Sequence, residues 1–265
     1  MKKIFLLLIA IFLMTGCGGE KNSNDSKSPK YSRIIVVGLD DFAPMGFKDE
    51  NGNIVGFDVD LAKEAAKRMG VEFEFKMIDW NNKEMEMTSG NIDMIWNGCD
   101  IMDEYKKYMT FSKPYMDNRQ ILLVEKGNPK EIHSVGDLTD KIVATQAGSN
   151  SETYIDDDEY LRNSFAKFKT YRNVNMGFKG LSNGEFDALI IDEIAARYEI
   201  NKNPDKFELV EAMIGSVTQF GIGFRKGDTE LRDKVQKAFD SMIKDGTAKK
   251  ISIQWFGADL IKSGR

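Results

Sequence analysis

Acidic side chains are the residues of this sequence whose types and positions could do chemistry. Asp40 and Asp41 follow a short β-branched run, Asp100 lies shortly after the apolar run 93–96, and Asp192 stands directly after the run 188–191. Carboxylates grouped in one cleft can hold a cationic group, or they can act as general acids and bases. The sequence therefore indicates either a binding site for an amino-bearing ligand or an acid–base enzyme.

Other reactive residue types are scarce. Cys17 and Cys99 are the only cysteines and His133 is the only histidine, which excludes a disulfide framework, a zinc site and a histidine-based catalytic triad. Cys99 has no histidine near it in the sequence, so we expect a buried small hydrophobe rather than a nucleophile. The acidic run 156–159 lacks the spaced ligands of a calcium loop and indicates a solvated helix face. We expect no metal and no cofactor.

The composition is that of a globular protein of one large or two ordinary domains. The chain has 265 residues, of which 42% are hydrophobic and 30% are charged. Its formal net charge of −5 argues against a nucleic-acid partner, which requires clustered positive charge. No phosphate-binding loop is present, so any ATP hydrolysis belongs to another chain.

The first thirty residues predict export rather than fold. Lys2 and Lys3 precede an apolar run over 4–14, which is too short to span a membrane and is typical of a secretory signal. The small residues before Cys17 resemble the lipobox of bacterial lipoproteins, in which the signal is removed before the cysteine and the cysteine is lipidated. We predict a signal peptide over 1–16 and a flexible, lipid-anchored tether over 17–30. Loss of the signal changes the formal charge to −7.

Strand and helix patterns alternate along the rest of the chain. The run 57–69 places apolar residues on one stripe and ends at Gly70, which predicts a helix. We predict further helices after Ser149, over 193–200 and around 231–242. Short apolar strands are expected at 34–38, 71–77, 93–96, 142–145, 168–171 and 188–191. This alternation is typical of an α/β fold with mainly parallel sheets.

One ten-residue pattern occurs twice. In residues 87–96 and again in 181–190, a helix end is followed by glycine, an apolar residue and aspartate, and then a buried strand. The identical positions are Gly90 with Gly184 and Asp93 with Asp187. Two such units predict two α/β lobes, although helix, glycine and strand also recur in any α/β protein.

Several blocks in a fixed order make the sequence similar to a known family. The blocks cover residues 38–47, 52–62, 90–98, 111–115, 137–141, 147–149, 184–188 and 191–193. In this order they resemble the extracellular solute-binding proteins of polar amino-acid ABC transporters, solute-binding protein family 3, over about residues 31–260. The resemblance implies a two-lobe, type II periplasmic-binding-protein fold of mainly parallel sheets flanked by helices.

The resemblance also implies a domain organisation. Two hinge crossings are expected near 121–125 and 218–224, with lobe 1 formed by 31–122 plus 223–265 and lobe 2 by 123–222. Hinge closure would trap a small ligand between the lobes and present it to a membrane permease, which works with a separate ATPase. We expect a monomer on the outer face of the bacterial cell membrane, anchored through Cys17.

The family's ligand-contacting positions can be carried over to this chain. Asp192 matches the carboxylate that binds the ligand's ammonium group, although an N-cap for the following helix is a second possible role. The remaining positions comprise two aromatic walls, which could equally be ordinary core residues, polar contacts and the N-terminus of a helix that attracts anions. They are Asp40, Phe42, Trp80, Asn97, Gly98, Asp100, Tyr105, Gln146, Ser149 and Asn150.

The sequence departs from the family at the expected carboxylate clamp. Tyr105 stands where the family usually has an arginine that binds the ligand's α-carboxylate, and Asp100 stands where it usually has a hydroxyl residue. A buried carboxylate left without its cation costs about 3–5 kcal/mol. We therefore favour an acid-rich cleft for a cationic or amino-bearing ligand whose carboxylate is absent, masked or relocated. The alternative is that Lys106 or Arg119 restores the clamp.

Two other functional classes are compatible with the sequence. The same closing cleft could serve a ligand sensor that reports to a separate receptor. Some proteins of this fold resemble dehydratases of cyclic carboxylates, but the missing arginine removes the obvious substrate anchor. We predict a binding protein and no enzymatic activity.

Overall fold

The computed structural model describes residues 34–262, in which eleven strands and eight α-helices follow one another. The predicted helix over 57–69 is confirmed with those bounds, and Gly70 ends it in the left-handed conformation. In chain order the elements are β1 (Ile35–Leu39), β2 (Phe47–Lys48), β3 (Ile54–Val55), α1 (Phe57–Met69), β4 (Phe73–Met77), α2 (Lys83–Thr88), β5 (Met94–Asp100), β6 (Met109–Phe111), β7 (Met116–Glu125), β8 (Ile142–Gln146), α3 (Asn150–Asp157), α4 (Glu159–Ser164), β9 (Lys167–Tyr171), α5 (Val174–Ser182), β10 (Ala188–Asp192), α6 (Glu193–Lys202), β11 (Phe207–Arg225), α7 (Thr229–Lys244) and α8 (Thr247–Phe256).

Nine of the strands form one sheet, which has two parallel arms. Its order is β4-β1-β5-β11-β7-β10-β8-β9, with β6 added beside β11. Strands β4, β1 and β5 pair in parallel at one end, and β10, β8 and β9 pair in parallel at the other. We call these three-stranded sets, with the helices and loops that connect their strands, the first arm and the second arm. The predicted α/β fold with parallel strands is confirmed in both.

Two long strands join the arms. β7 and β11 run antiparallel to each other over most of their length. β11 also pairs with β5 of the first arm, and β7 pairs with β10 of the second arm. The pairing of β11 with β7 shifts register after Val210 and after Ile214. Both expected crossings fall within these strands, while the exact limits of the lobes stay a prediction.

The repeated ten-residue pattern has the same local structure in both arms. Asp93, just before β5, accepts a hydrogen bond from the Val36 backbone N–H of β1 at 2.8 Å. Asp187, just before β10, accepts one from the Ile142 N–H of β8, also at 2.8 Å. Each aspartate therefore ties the start of its own strand to the neighbouring parallel strand.

The apolar core lies on both faces of the sheet, beneath the helices. Helices α1, α7 and α8 pack together beside the first arm, and α5 and α6 pack on β10 and β7. The fully buried side chains include Phe57 of α1 and Trp96 of β5, which is what parallel strands covered on both faces require. Within residues 34–262, none of the helices combines the length and apolar character needed to cross a bilayer.

Candidate functional site

The candidate site is built where parallel strands end. Asp40 follows β1, Asp100 ends β5, Gln146 ends β8 and Asp192 ends β10. The first two belong to the first arm and the last two to the second arm. In open α/β sheets, ligands bind outside the carboxyl ends of the strands. The strands therefore aim polar side chains from both arms at one place.

One cavity brings together all the predicted ligand-contacting residues. Its lining is Asp40, Phe42, Trp80, Asn97, Gly98, Asp100, Tyr105, Gln146, Ser149, Asn150 and Asp192. Their grouping is a finding of the structure, and their role in binding stays a prediction. The cavity measures about 30 Å³, far less than the roughly 300–1,000 Å³ of a typical small-molecule site. An amino acid is larger, so the arms or the lining side chains must move to admit one.

Asp100 and Asp192 face each other at the centre of the site and share one donor. The Asn118 side-chain nitrogen lies 2.5 Å from Asp192 Oδ1 and 3.2 Å from Asp100 Oδ1. Burial raises the pKa of both carboxyl groups, and the charge of Asp192 raises the pKa of Asp100 further. The hydrogen bonds from Asn118 oppose these shifts.

Neutral side chains complete the coordination of these two carboxylates. Asn150 and Thr218 each donate a hydrogen bond to Asp100 at 2.5 Å, and Gln120 donates one to Asp192 at 2.6 Å. Gln120 is held in turn by the Ser151 hydroxyl. These donors orient the two carboxylates without neutralising their charge.

The Asp192 side chain does not cap the helix that follows it. It occupies the N-cap position of α6, but its side chain accepts no hydrogen bond from that helix. Its carboxylate instead receives Asn118 and Gln120. The carboxylate therefore lines the cavity and does not hydrogen-bond to the helix.

Asp40 forms a second acidic centre in the cavity wall. Its Oδ2 accepts a hydrogen bond from Gln146 Nε2 at 2.6 Å, which joins the first arm to the second. Burial raises the pKa of Asp40 to about 6, against the opposing hydrogen bonds from Gln146 and the Asp41 backbone. The Asn97 side chain accepts the Asp40 backbone N–H at 2.8 Å and donates to Gly46, which fixes this loop against β5.

The structure assigns Gly98 a position that needs glycine. Its φ is +58°, and a Cβ there would lie 2.6 Å from the Phe42 ring. Asp58, fully buried at the start of α1, accepts the Gly98 N–H at 2.7 Å and the Tyr115 hydroxyl at 2.8 Å. Burial raises the pKa of Asp58 to about 7. Asp58 thus holds the backbone of the cavity wall in place.

Tyr105, at the expected clamp position, contacts the second arm, and the two cations considered as substitutes for the clamp pair with carboxylates elsewhere. The Tyr105 hydroxyl donates to the Gly148 carbonyl oxygen at 3.0 Å. Lys106 pairs with Asp103 at 2.7 Å, and Arg119 pairs with Glu193 on the face of β7 opposite Asn118. Neither cation lines the cavity, and its eleven lining residues carry three carboxyl groups and no cationic side chain.

Sequence reasoning missed several residues that hold the site together. Asn118 and Gln120 could have been found, because alternate residues of a strand share a face and Met116, Asn118 and Gln120 form such a series. Lys83, which contacts Trp80, Tyr105 and Gly148, gives no such signal, because a lysine is normally expected at the surface.

Comparison with known proteins decides the family. Residues 34–258 match the family model of the bacterial extracellular solute-binding proteins, family 3. The chain belongs to this family. Its relatives are solute-binding proteins rather than enzymes, and the two-armed fold of this solute-binding protein is the type II fold expected from its sequence.

Named relatives cover almost the whole of this solute-binding protein. The L-cystine-binding protein TcyJ of Escherichia coli is 33% identical over 96% of this chain and 95% of its own length. The arginine-binding extracellular protein ArtP of Bacillus subtilis is 34% identical over 97% of this chain and 98% of its own length.

Solved structures agree. A Streptococcus pneumoniae ABC uptake transporter substrate-binding protein with bound histidine superposes with a TM-score of 0.82, at 35% identity over 87% of this chain and 95% of that one. An ancestral arginine-binding protein bound to arginine gives a TM-score of 0.78, at 40% identity over 84% of this chain and 98% of that one.

Proposed function

We propose that this solute-binding protein binds an amino acid or an amine-bearing, cationic relative of one and delivers it to an ABC permease that has a separate ATPase. The observation that carries the proposal is the cavity itself. Three carboxyl groups from both arms line it, and no cationic side chain does. The named relatives that bind cystine, arginine or histidine support the same ligand class.

The charge of the cavity defines the preferred ligand more closely. Asp100 and Asp192 lie together around Asn118, while Asp40 lies beside Gln146. An ammonium or guanidinium group placed between them replaces the repulsion of buried like charges by charge-assisted hydrogen bonds. A free carboxylate at the same place meets three carboxyl groups and no cationic side chain. We therefore infer that the cleft favours amines over the corresponding amino acids.

Matched pairs of compounds test this inference directly. Arginine and agmatine, lysine and cadaverine, and histidine and histamine each differ only in the α-carboxylate. We expect calorimetric titration to show the amine of at least one pair binding about tenfold or more tightly than its amino acid. Tighter binding of the amino acid in every pair, or micromolar binding of glutamine, would contradict the preference. Absence of binding by every compound would contradict the proposed function itself.

An isosteric variant identifies the carboxylate responsible. Asp192→Asn keeps the shape of the site and removes one charge, so binding of the best amine should weaken by about tenfold or more. Asp117→Asn is the matched control, because Asp117 is exposed on β7 and pairs with Lys262 outside the cavity. Equal affinities of the two variants for the amine would show that the Asp192 carboxylate does not contribute to ligand binding.

The N-terminal features complete the proposal. The expected signal peptide and Cys17 lie outside the described residues, and the extracellular family supports export. We infer a monomeric lipoprotein with no enzymatic activity, held at the outer face of the cell membrane through Cys17 and its tether. Such an anchor would keep the binding protein close to its permease.

A further inference from the structure

Lys83 is a buried cation immediately behind the cavity wall. It is the first residue of α2, and only 5% of it is exposed. Burial lowers the pKa of its ammonium group. An ammonium group removed from water is costly unless it is paired or fully hydrogen-bonded. Its contacts must therefore compensate for the lost water.

Those contacts are carbonyl oxygens and aromatic faces. Lys83 Nζ lies 2.6 Å from the Gly148 carbonyl oxygen and 3.4 Å from that of Trp80. It also lies 4.5 Å from the ring centre of Tyr105 and 5.2 Å from that of Trp80. Among residues 34–262, no carboxylate oxygen lies within ion-pairing distance of it, and Glu84, Glu104 and Glu152 act on its charge only from further away. The cation is thus enclosed by two aromatic walls of the cavity and by the second arm.

The Gly148 carbonyl is one of the points at which the two arms meet. It accepts Lys83 Nζ of the first arm at 2.6 Å and the hydroxyl of Tyr105, which follows β5, at 3.0 Å. Ser149 and Asn150 follow directly, line the cavity and begin α3. A Cβ on Gly148 would lie 2.9 Å from Asn81 Cα, so only glycine allows the two backbones this approach.

We propose that Lys83 and Tyr105 form a latch, which closes the two arms over the ligand by donating together to the Gly148 carbonyl. Lys83 is a positioning residue, because Trp80 and Tyr105 stand between it and the cavity. Separation of the arms breaks both bonds to Gly148 and exposes the ammonium to water. Closure restores them and sets Ser149 and Asn150 in the cavity wall. The latch rests on the proposed function, since its purpose is to hold a ligand.

The decisive variant is Lys83→Met, which keeps an unbranched side chain one atom shorter and removes the charge and the donors. We expect the best-binding amine of the panel to bind about tenfold more weakly, through a faster dissociation rate. Tyr105→Phe should weaken binding by a smaller factor, through the same rate. The thermal midpoint of the ligand-free Lys83→Met protein should not fall, because an incompletely compensated buried charge has been removed. A merely structural lysine would lower that midpoint and leave dissociation unchanged.

Lys63→Met is the matched control. Lys63 also donates to a carbonyl oxygen and lies over an aromatic ring, but it is exposed on α1 and away from the cavity. The Lys63→Met variant should bind the amine with the same affinity as the unchanged protein. Equal affinity of Lys83→Met and Lys63→Met would contradict the latch.

A second measurement needs no ligand. Amide hydrogen exchange in 147–153 should be faster in Lys83→Met than in Lys63→Met, because the latch holds this segment against the first arm. If no panel compound binds the unchanged protein, the proposed function is wrong. The comparison of hydrogen exchange in the two variants then tests the latch independently of any ligand. Equal exchange in the two variants would then contradict it.

Discussion

At the scale of single residues, the site is defined by carboxyl groups whose pKa is raised chiefly by burial. Asp100 and Asp192 are buried together with Asn118 between them, and Asp40 is buried beside Gln146. Neutral amides orient these acids but supply no charge. In the proposed complex a cationic ligand supplies that charge, so the same acids that destabilise the ligand-free protein when ionised would stabilise the complex.

This arrangement predicts opposite pH dependences for stability and for affinity. Burial raises the pKa of Asp40 to about 6 and that of Asp58 to about 7, and also raises those of Asp100 and Asp192. These four groups therefore bind more protons in the folded protein than in the unfolded chain above about pH 4, and their contribution to stability falls as pH rises from there through the raised values. We expect the ligand-free thermal midpoint to fall by about 5 °C between about pH 5 and about pH 8.

Affinity for the amine should rise over the same interval, because a bound cation favours the ionised acids. Asp40→Asn should make the fall in thermal midpoint smaller, since one of the raised groups is gone. Calorimetric unfolding and titration across the pH series check both slopes. A stability and an affinity that change in the same direction would contradict this assignment of charge.

At the scale of elements, the two arms repeat one local design and differ where they meet. In both, an aspartate before a strand accepts the N–H of the neighbouring strand, and a glycine with positive φ precedes it. The strands then deliver Asp100 and Asp192 at their ends. The loop after β8 lies outside this repeated pattern, and there Gly148 meets Asn81 of the first arm.

A comparison of two glycines of similar conformation distinguishes the effect of backbone strain from the effect of the close approach between the arms. Gly148 and Gly184 have φ of +72° and +69°, but a Cβ on Gly184 meets nothing within 4 Å. Each change to alanine should cost about 1 kcal/mol of unfolding free energy. Only Gly148→Ala should also weaken amine binding, by about tenfold or more, because it forces the arms apart. Titration of both variants checks this, and equal affinities would show that the close approach is unimportant.

At the scale of the whole molecule, β7 and β11 connect the arms and also take part in the site. Asn118 of β7 and Thr218 of β11 both contact Asp100. β11 shifts its register against β7 just before Thr218. A change in the angle between the arms therefore moves donors of the central carboxylates, which links closure to ligand binding.

The lipid anchor is the prediction that concerns the molecule in its cell. Cys17→Ala should abolish incorporation of labelled palmitate and release the protein from the membrane fraction, because one thiol is the expected attachment point. Cys99→Ala is the control, since Cys99 is buried in β5 and should leave labelling unchanged. Labelled, membrane-bound protein in the Cys17 variant would contradict the lipoprotein assignment.

The sequence by itself determined the elements and the polar residues that end them. Apolar periodicity marks α1 and the parallel strands, and the resemblance to the family implies without coordinates that Asp40, Asp100 and Asp192 face one cleft. The alternation in β7 also places Arg119 on the face opposite Asn118. These features are local, and local periodicity records them.

Tertiary structure alone decided which cation approaches the cavity wall. Lys83 is distant in sequence from Gly148 and has no pattern that predicts burial, yet its ammonium lies against that carbonyl. Lys106 and Arg119, the two cations considered from the sequence as substitutes for the clamp, pair with other carboxylates. Which cation approaches a site depends on how two arms pack across a cleft, and packing between distant segments leaves no periodic trace in the chain.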